Sequence, residues 1–70
     1  MGSPRGEGTK NARRDVLAAA LESKDAGLRY AAASALAELS DEQAIKLLRR
    51  RLGQEKNPSV RGLIEADLRA

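Results

Sequence analysis

Residues 25–39, DAGLRYAAASALAEL, decide the fold, because residues 57–68, NPSVRGLIEADL, repeat their pattern. Both stretches begin with a side chain that caps helices, pass through two small or turn residues, and reach an aliphatic residue followed by arginine. The two aliphatic residues, Leu28 and Val60, are 32 residues apart, and the apolar residues after them keep the same offset. A pattern that recurs in register predicts stacked copies of one helical unit.

Helical periodicity predicts a further helix ahead of the first copy. We predict that it runs from about Ala12 to Ser23 behind Asn11 as N-cap, and that the next helix begins after Asp25, another residue suited to capping. The apolar side chains of these two helices that should face a core are Val16, Leu17, Ala20, Leu21, Leu28, Ala32, Ala35, Leu36 and Leu39.

The second half of the chain shows the same arrangement. A third helix is predicted to begin at Ser40, whose hydroxyl would cap the first turn while Gln43 reaches back, and to end at Gly53. The fourth is predicted to begin at Asn57 with Pro58 in the first helical position, where a missing N–H has no cost. The apolar stripes of these two helices are Ile45, Leu48 and Leu52, then Val60, Leu63, Ile64 and Leu68.

The helices that precede the two copies also correspond. Leu17 and Leu21 lie 31 residues before Leu48 and Leu52, with one residue inserted before the next cap. The sequence therefore predicts an all-α fold over residues 11–70, in which four helices form two antiparallel hairpins stacked side by side.

Residues 1–10 differ from the rest of the chain. They contain three glycines and a proline and have no apolar periodicity. This composition predicts a disordered N-terminal lead or a remnant of cloning, which is excluded from the helical domain.

The repeated unit resembles the short HEAT-like repeat first associated with phycobilisome lyases. The shared pattern is an Asp or Asn turn, an aliphatic–Arg pair, an Ala-rich helix, a short Asp-Glu turn and a second helix, and it covers about residues 12–70. Asp67 departs from the pattern because it stands where the first unit has Ala35. The residues that carry the resemblance are 25–39, 40–45 with Leu48 and Leu52, and 57–68.

This resemblance implies a short HEAT-like solenoid and a structural role for two arginines. Arg29 and Arg61 would donate hydrogen bonds to backbone carbonyls or to an acid in the adjoining helix. Asp67 on the last helix suggests a polar-edged terminal cap. A homodimer or further neighbouring repeats remain alternatives for how the stack is completed.

Composition excludes most catalytic chemistry. The chain has no Cys and no His, so thiol nucleophiles, disulfides, the usual general base and the commonest metal ligand are missing. We expect no enzyme activity, no cofactor and no metal. No apolar run approaches the roughly 18 residues that a membrane-spanning helix needs, so the sequence predicts a soluble chain.

Two groups of residues are candidates for partner binding. Lys46, Arg49 and Arg50 project to one side of the third helix, and Arg13 and Arg14 on the first helix would extend them into a basic ridge. The net charge of +3 favours acidic partners, although a solvated helix face explains such a cluster equally. The only aromatic residue, Tyr30, is predicted either to anchor a partner or to pack against a neighbouring repeat.

A protein-interaction or scaffolding module is the leading functional hypothesis. Nucleic-acid binding by the basic face is an alternative, which resembles HEAT-like DNA glycosylases at the level of fold. An accessory domain is another, because residues 47–68 are similar to the HEAT-like segment ahead of the membrane part of urea-type ABC transporter permeases. A lyase subunit acting on a bilin is the weakest, since no site residues can be named for it.

Overall fold

The computed structural model describes residues 5–69, with side chains from Ala12 onward. Within that range four helices and no strands are present, which confirms the predicted all-α class. The helices are α1 (Arg5–Leu21), α2 (Ala26–Leu39), α3 (Glu42–Leu52) and α4 (Pro58–Arg69).

The helices form two hairpins, α1–α2 and α3–α4, stacked in two layers. Helix α2 packs on every other helix, α1 packs on α3, and α1 and α4 do not touch. The layers are therefore α1 beside α3 and α2 beside α4, as the repeat pattern predicts. Small residues allow the helices to approach closely. The fully buried apolar side chains are Leu21, Ala32, Ala33, Leu36, Ala44, Leu48, Val60 and Ile64.

The capping residues of α2 and α4 confirm the predicted starts of both helices. Asp25 Oδ1 accepts a hydrogen bond from the Gly27 backbone N at 2.8 Å. Asn57 Oδ1 accepts from the backbone N of Ser59 at 2.9 Å and of Val60 at 3.2 Å. Each cap satisfies amide groups that have no partner inside their helix.

Helix α1 begins at Arg5, so the predicted start at about Ala12 and the predicted cap at Asn11 are wrong. Once residues 12–21 are held helical by packing, each added residue fixes one backbone unit and gains one hydrogen bond, so extension costs little. Asn11 is therefore an interior residue of α1. Residues 1–4, the beginning of the predicted disordered lead, lie outside the described part of the chain.

The turn between α2 and α3 also corrects a prediction. Asp41, not Ser40, caps α3, because its Oδ1 accepts from the Ala44 backbone N at 2.8 Å. Ser40 instead ends α2 in the left-handed conformation, with φ 54° and ψ 24°. Its hydroxyl donates to the Ala37 carbonyl at 2.9 Å, and the Asp41 carboxylate accepts the cap hydrogen bond of the next helix. The predicted capping box with Gln43 does not form.

Replacing Ser40 with glycine should stabilise the protein. The left-handed conformation costs a non-glycine residue about 1–2 kcal/mol, and glycine is the residue that usually ends helices in it. After allowing for glycine's greater freedom in the unfolded chain, we expect Ser40→Gly to raise the free energy of unfolding by about 0.5–1 kcal/mol, measured by urea denaturation. Ser34→Gly, inside α2, is the control and should lower it by about 1 kcal/mol. A loss of stability in both variants would contradict the assignment.

Three large apolar residues predicted to face the core are not buried. Val16 is 67% exposed, Leu28 47% and Ile45 38%. Ile45 lies at the rim of a cleft beside Leu48 and Asp67. Val16 and Leu28 belong to the first hairpin, and no element of the described chain covers them, although periodicity alone places them on apolar stripes.

Candidate interaction surfaces

A buried glutamate in the loop between α3 and α4 joins the two hairpins. Glu55 is 2% exposed. Its Oε1 accepts hydrogen bonds from Arg29 Nε at 2.9 Å and Arg51 Nε at 3.0 Å. Its Oε2 accepts from Arg29 Nη2 at 2.9 Å and from the Asn57 backbone N at 3.1 Å. The carboxylate thus uses its four acceptor positions, which is what a buried charge requires.

This geometry lowers the pKa of Glu55 from an ordinary 4.5 to about 2. The hydrogen bonds from Arg29 are the main cause, with further contributions from the Asn57 amide and from Arg51, while burial opposes them. The same hydrogen bonds raise the pKa of Arg29. Both groups are therefore fully charged at neutral pH.

Arg29 and Arg61 hold equivalent turns in the two hairpins. Arg29 Nη1 donates to the Ser23 carbonyl at 2.8 Å, and Arg61 Nη1 donates to the Glu55 carbonyl at 3.1 Å. In each case the carbonyl belongs to the residue six positions earlier. Arg61 Nη1 also donates to the Leu52 carbonyl at 3.0 Å. The predicted structural role is confirmed, but the acid that Arg29 binds lies in a loop and not in the adjoining helix.

Glu55 is the residue that the sequence pattern did not reveal. A charged residue in a loop is normally exposed to solvent, so a buried ion pair is not expected at this position. The repeat offers one signal: Ser23 and Glu55 both stand two residues before a cap. Ser23 Oγ accepts from the Asp25 backbone N at 3.1 Å, as the Glu55 carboxylate accepts from the Asn57 N at the same distance.

The basic residues of α3 divide between the surface and the interior of the stack. Arg51 points inward, where its Nη1 binds Glu22, the residue after α1, at 3.0 Å in addition to its bond with Glu55. The other basic side chains are exposed, and no acid of the described residues forms an ion pair with them. These exposed residues are Lys46, Arg49 and Arg50 on α3 and Arg13 on α1.

Arg14 is placed differently from its neighbour Arg13. Its Nη2 lies 2.6 Å from Asp41 Oδ2, and the Arg14 side chain is only 19% exposed. The pair connects α1 to the capping residue of α3. The charge of Arg14 is therefore matched inside the protein, whereas that of Arg13 faces solvent.

Tyr30 lies at a groove between the N-terminal ends of α2 and α4. Its side chain is 45% exposed. The groove, of about 250 Å³, is bounded on the α4 side by Ser59 and Val60. Small residues at the start of α2 leave it open: Ala26 and Gly27 form its other wall. Tyr30 thus lines a groove together with residues of the second hairpin and is nearly half exposed.

Asp67 lies in a second cleft, of about 260 Å³, whose lining is mostly apolar and includes Leu36, Leu48 and Leu68. Its Oδ2 is buried and has no hydrogen-bond partner among the described residues. Burial raises the pKa of Asp67 because the charged form loses solvation. Asp67 also stands in the last turn of α4, where the helix dipole disfavours a negative charge.

We expect Asp67→Ala to stabilise the protein by about 1 kcal/mol at pH 7, raising Tm by about 4–8 °C. A carboxyl with a raised pKa contributes most to stability below its unfolded-state pKa of 3.8, and that contribution is lost as pH rises through the folded-state value. The gain should therefore be smaller at pH 3 than at pH 7, by thermal melts followed at 222 nm. Equal gains at both pH values would show that the charge is not the cause.

Two kinds of feature are absent from the described residues: a metal-binding cluster and a membrane-spanning helix. No group of three or more His, Cys, Asp or Glu side chains is placed to hold a metal ion. None of the four helices combines the length and apolar character needed to cross a membrane.

Two-layer stacking of repeated helical hairpins, joined by a buried ion pair, defines an α-solenoid unit. The family model for HEAT repeats matches residues 6–69, and the chain belongs to the HEAT repeat family. HEAT repeats are generally protein-interaction and scaffolding modules. No curated protein and no solved structure matches the chain significantly.

Proposed function

We propose that this chain is a non-catalytic protein-interaction module that binds a protein segment at the groove around Tyr30. The observation that carries the proposal is the half-exposed ring beside an open groove, in a chain with no other aromatic residue. A tyrosine presents a large, rigid contact area with a polar tip and loses little conformational freedom on binding. The HEAT repeat family supports the general class of function.

The groove suits a small apolar anchor on the partner. Its volume of about 250 Å³ exceeds that of one aliphatic side chain, and its walls are Ala, Gly, Ser and Val. Gly27, which has no side chain, forms part of one wall. Asn57 and Ser59 at the rim supply polar groups for a partner's backbone. As part of the proposal, we assign the repeat to the phycobilisome-lyase type, which the aliphatic–Arg pairs support.

Site-specific photo-crosslinking tests the binding site. A photoreactive phenylalanine analogue at position 30 should capture one stoichiometric protein partner from cells that express the chain. The same analogue at Glu38, also exposed on α2, is the control and should not capture it. Equal capture from both positions would remove the groove as the binding site.

Binding of the purified partner should then depend on the ring. We expect Tyr30→Ala to weaken the affinity at least about tenfold and Tyr30→Phe to change it by less than about threefold, by isothermal titration calorimetry. A binding anchor predicts this separation, because both variants lack the hydroxyl and only one lacks the ring. Unchanged binding by Tyr30→Ala would refute the proposed anchor.

Nucleic-acid binding is the second candidate function. It is supported by four exposed basic side chains on α1 and α3, Arg13, Lys46, Arg49 and Arg50, which like Lys24, Lys56 and Arg69 form no ion pair among the described residues. Such groups bind phosphates with strong salt dependence. Arg14 adds less to this surface because Asp41 already binds it.

Fluorescence anisotropy with a labelled DNA duplex at low salt tests this candidate. Binding that falls with added salt and is abolished in Arg49→Glu with Arg50→Glu would support it. Lys24→Glu with Lys56→Glu is the matched control, because it changes the net charge equally at exposed positions outside α3. Equal loss in both double variants would indicate a general charge effect, and no binding at low salt would exclude this function.

A further inference from the structure

One end of the stack carries a cluster of apolar side chains, here called the N-face. Four of its six residues occupy positions whose equivalents, one repeat later, line clefts against the first hairpin. They include Val16 and Leu28, the two most exposed large apolar residues of the described chain. The six are Ala12, Val16, Ala19, Leu28, Ala31 and Ala35.

The repeat offsets relate the N-face residues to residues of the second hairpin that contact the first. Leu47, 31 residues after Val16, lies with Leu21 of α1 along one cleft between the hairpins. Val60, 32 residues after Leu28, lies with Tyr30 along the other and is 1% exposed. The second hairpin therefore uses these positions to contact the first. In the first hairpin the same positions face outward, on the side away from the second hairpin.

The opposite end of the stack, here called the C-face, is charged. Glu65 stands where the first hairpin has Ala33, which is fully buried between the hairpins. Arg61 Nη2 lies 3.5 Å from Glu65 Oε2, and both side chains are nearly half exposed. The four charged residues of this face are Arg49, Arg61, Glu65 and Arg69. In-line stacking of two copies would bring their charges against apolar Val16 and Leu28, which desolvates them without partners.

A preceding hairpin of the same type also fits the N-face poorly. Such a hairpin would present an arginine equivalent to Arg29, which in this chain is bound by Glu55 of the next unit. The first unit has Ser23 at that position. Ser23 already binds the Asp25 amide through its hydroxyl and Arg29 through its carbonyl. An incoming guanidinium would find no carboxylate there.

We propose that the N-face binds the N-face of a second copy in a two-fold symmetric dimer. Apolar surface then meets apolar surface, and both charged C-faces remain in solvent. Two-fold dimers that use the same patch on both subunits are the commonest protein oligomers. This proposal goes beyond the proposed function and leaves the Tyr30 groove open.

The area of the N-face determines the expected affinity of the dimer. The six residues lie within positions 12–19 and 28–35, about 12 Å along each helix axis, so two helices at an ordinary separation give a face of roughly 12 by 20 Å. About 240 Å² per copy is below the roughly 500 Å² per copy of a stable interface. We therefore expect a weak, reversible dimer with a dissociation constant of about 0.1–1 mM, not an obligate one.

Analytical ultracentrifugation across about 1 μM to 1 mM protein tests the dimer. The chain should pass from monomer to dimer, and Leu28→Glu should weaken association at least about tenfold. Leu28 is half exposed, so folding of this variant should be retained, as checked by circular dichroism. Arg69→Glu, on the C-face, is the control and should leave association unchanged. A monomer throughout this range, or equal weakening by both variants, would overturn the proposal.

Crosslinking tests the symmetry of the dimer. The chain has no Cys, so a single introduced thiol reports one position. With a short bis-maleimide, Ala31→Cys should give covalent dimers and Arg69→Cys should give none. Crosslinks that appear only when the two variants are mixed would indicate head-to-tail stacking and overturn the proposal.

Discussion

Glu55→Ala should leave the chain largely unfolded at 25 °C and pH 7. The substitution removes the acceptor of four hydrogen bonds and leaves Arg29 and Arg51 without their buried partner. Removal of one member of a buried pair costs about 3–5 kcal/mol. A domain of this size rarely has more than about 3–5 kcal/mol of stability in total. Urea denaturation followed by circular dichroism at 222 nm gives the measurement.

Two further variants separate the causes of this loss. Glu55→Gln keeps the shape and one acceptor oxygen but not the charge, so we expect a smaller loss, of about 2–3 kcal/mol. Glu65→Gln breaks the nearly half-exposed pair with Arg61 and should cost less than about 0.5 kcal/mol. If Glu55→Ala cost no more than Glu65→Gln, the ion pair between the hairpins would not be a main determinant of stability.

Acidification from pH 5 to pH 2 should produce the second large effect. The folded state holds the pKa of Glu55 at about 2, below its ordinary 4.5. A carboxyl with a lowered folded-state pKa contributes its full stability above the unfolded-state value, and that stability is lost as pH falls through the folded-state value. The shift corresponds to on the order of 3 kcal/mol, most of which should be lost between pH 4.5 and pH 2.

The acid titration has its own control. Other carboxyls also titrate in this range, so the free energy of unfolding is compared with that of Glu55→Gln at each pH. The difference between the two proteins should shrink steadily as the pH falls from 5 to 2. A constant difference would mean that the Glu55 carboxyl keeps an ordinary pKa in the folded protein.

Helices that are covered by neighbours on both sides are predicted more accurately from the sequence than residues at the ends of the stack. The caps at Asp25 and Asn57 are local interactions, so their residue types identify them. The core residues Leu36, Leu48 and Ile64 follow from helical periodicity. The exposure of Val16 and Leu28 could not be predicted in this way. Periodicity identifies an apolar face, but it does not show whether a neighbouring element covers that face.

The candidate sites divide in the same way. The structural role of Arg29 and Arg61 follows from their position after each turn. The burial of Glu55 depends on contacts between the two hairpins, separated by up to 26 residues in sequence, and a single loop carries no sign of them. The turn at Ser40 was misassigned because Ser40 and Asp41 are both good caps, and only the left-handed backbone of Ser40 decides between them.

The contact between Arg29 and Glu55 has a consequence for folding cooperativity. Each member belongs to a different hairpin, so opening of either hairpin removes both hydrogen bonds that Arg29 donates to the Glu55 carboxylate. A repeat array normally behaves as a one-dimensional chain of units that fray independently from its ends. Here the coupling between neighbours includes the loss of this ion pair as a penalty for partial opening. The two hairpins should therefore unfold in one cooperative transition instead of two separate ones.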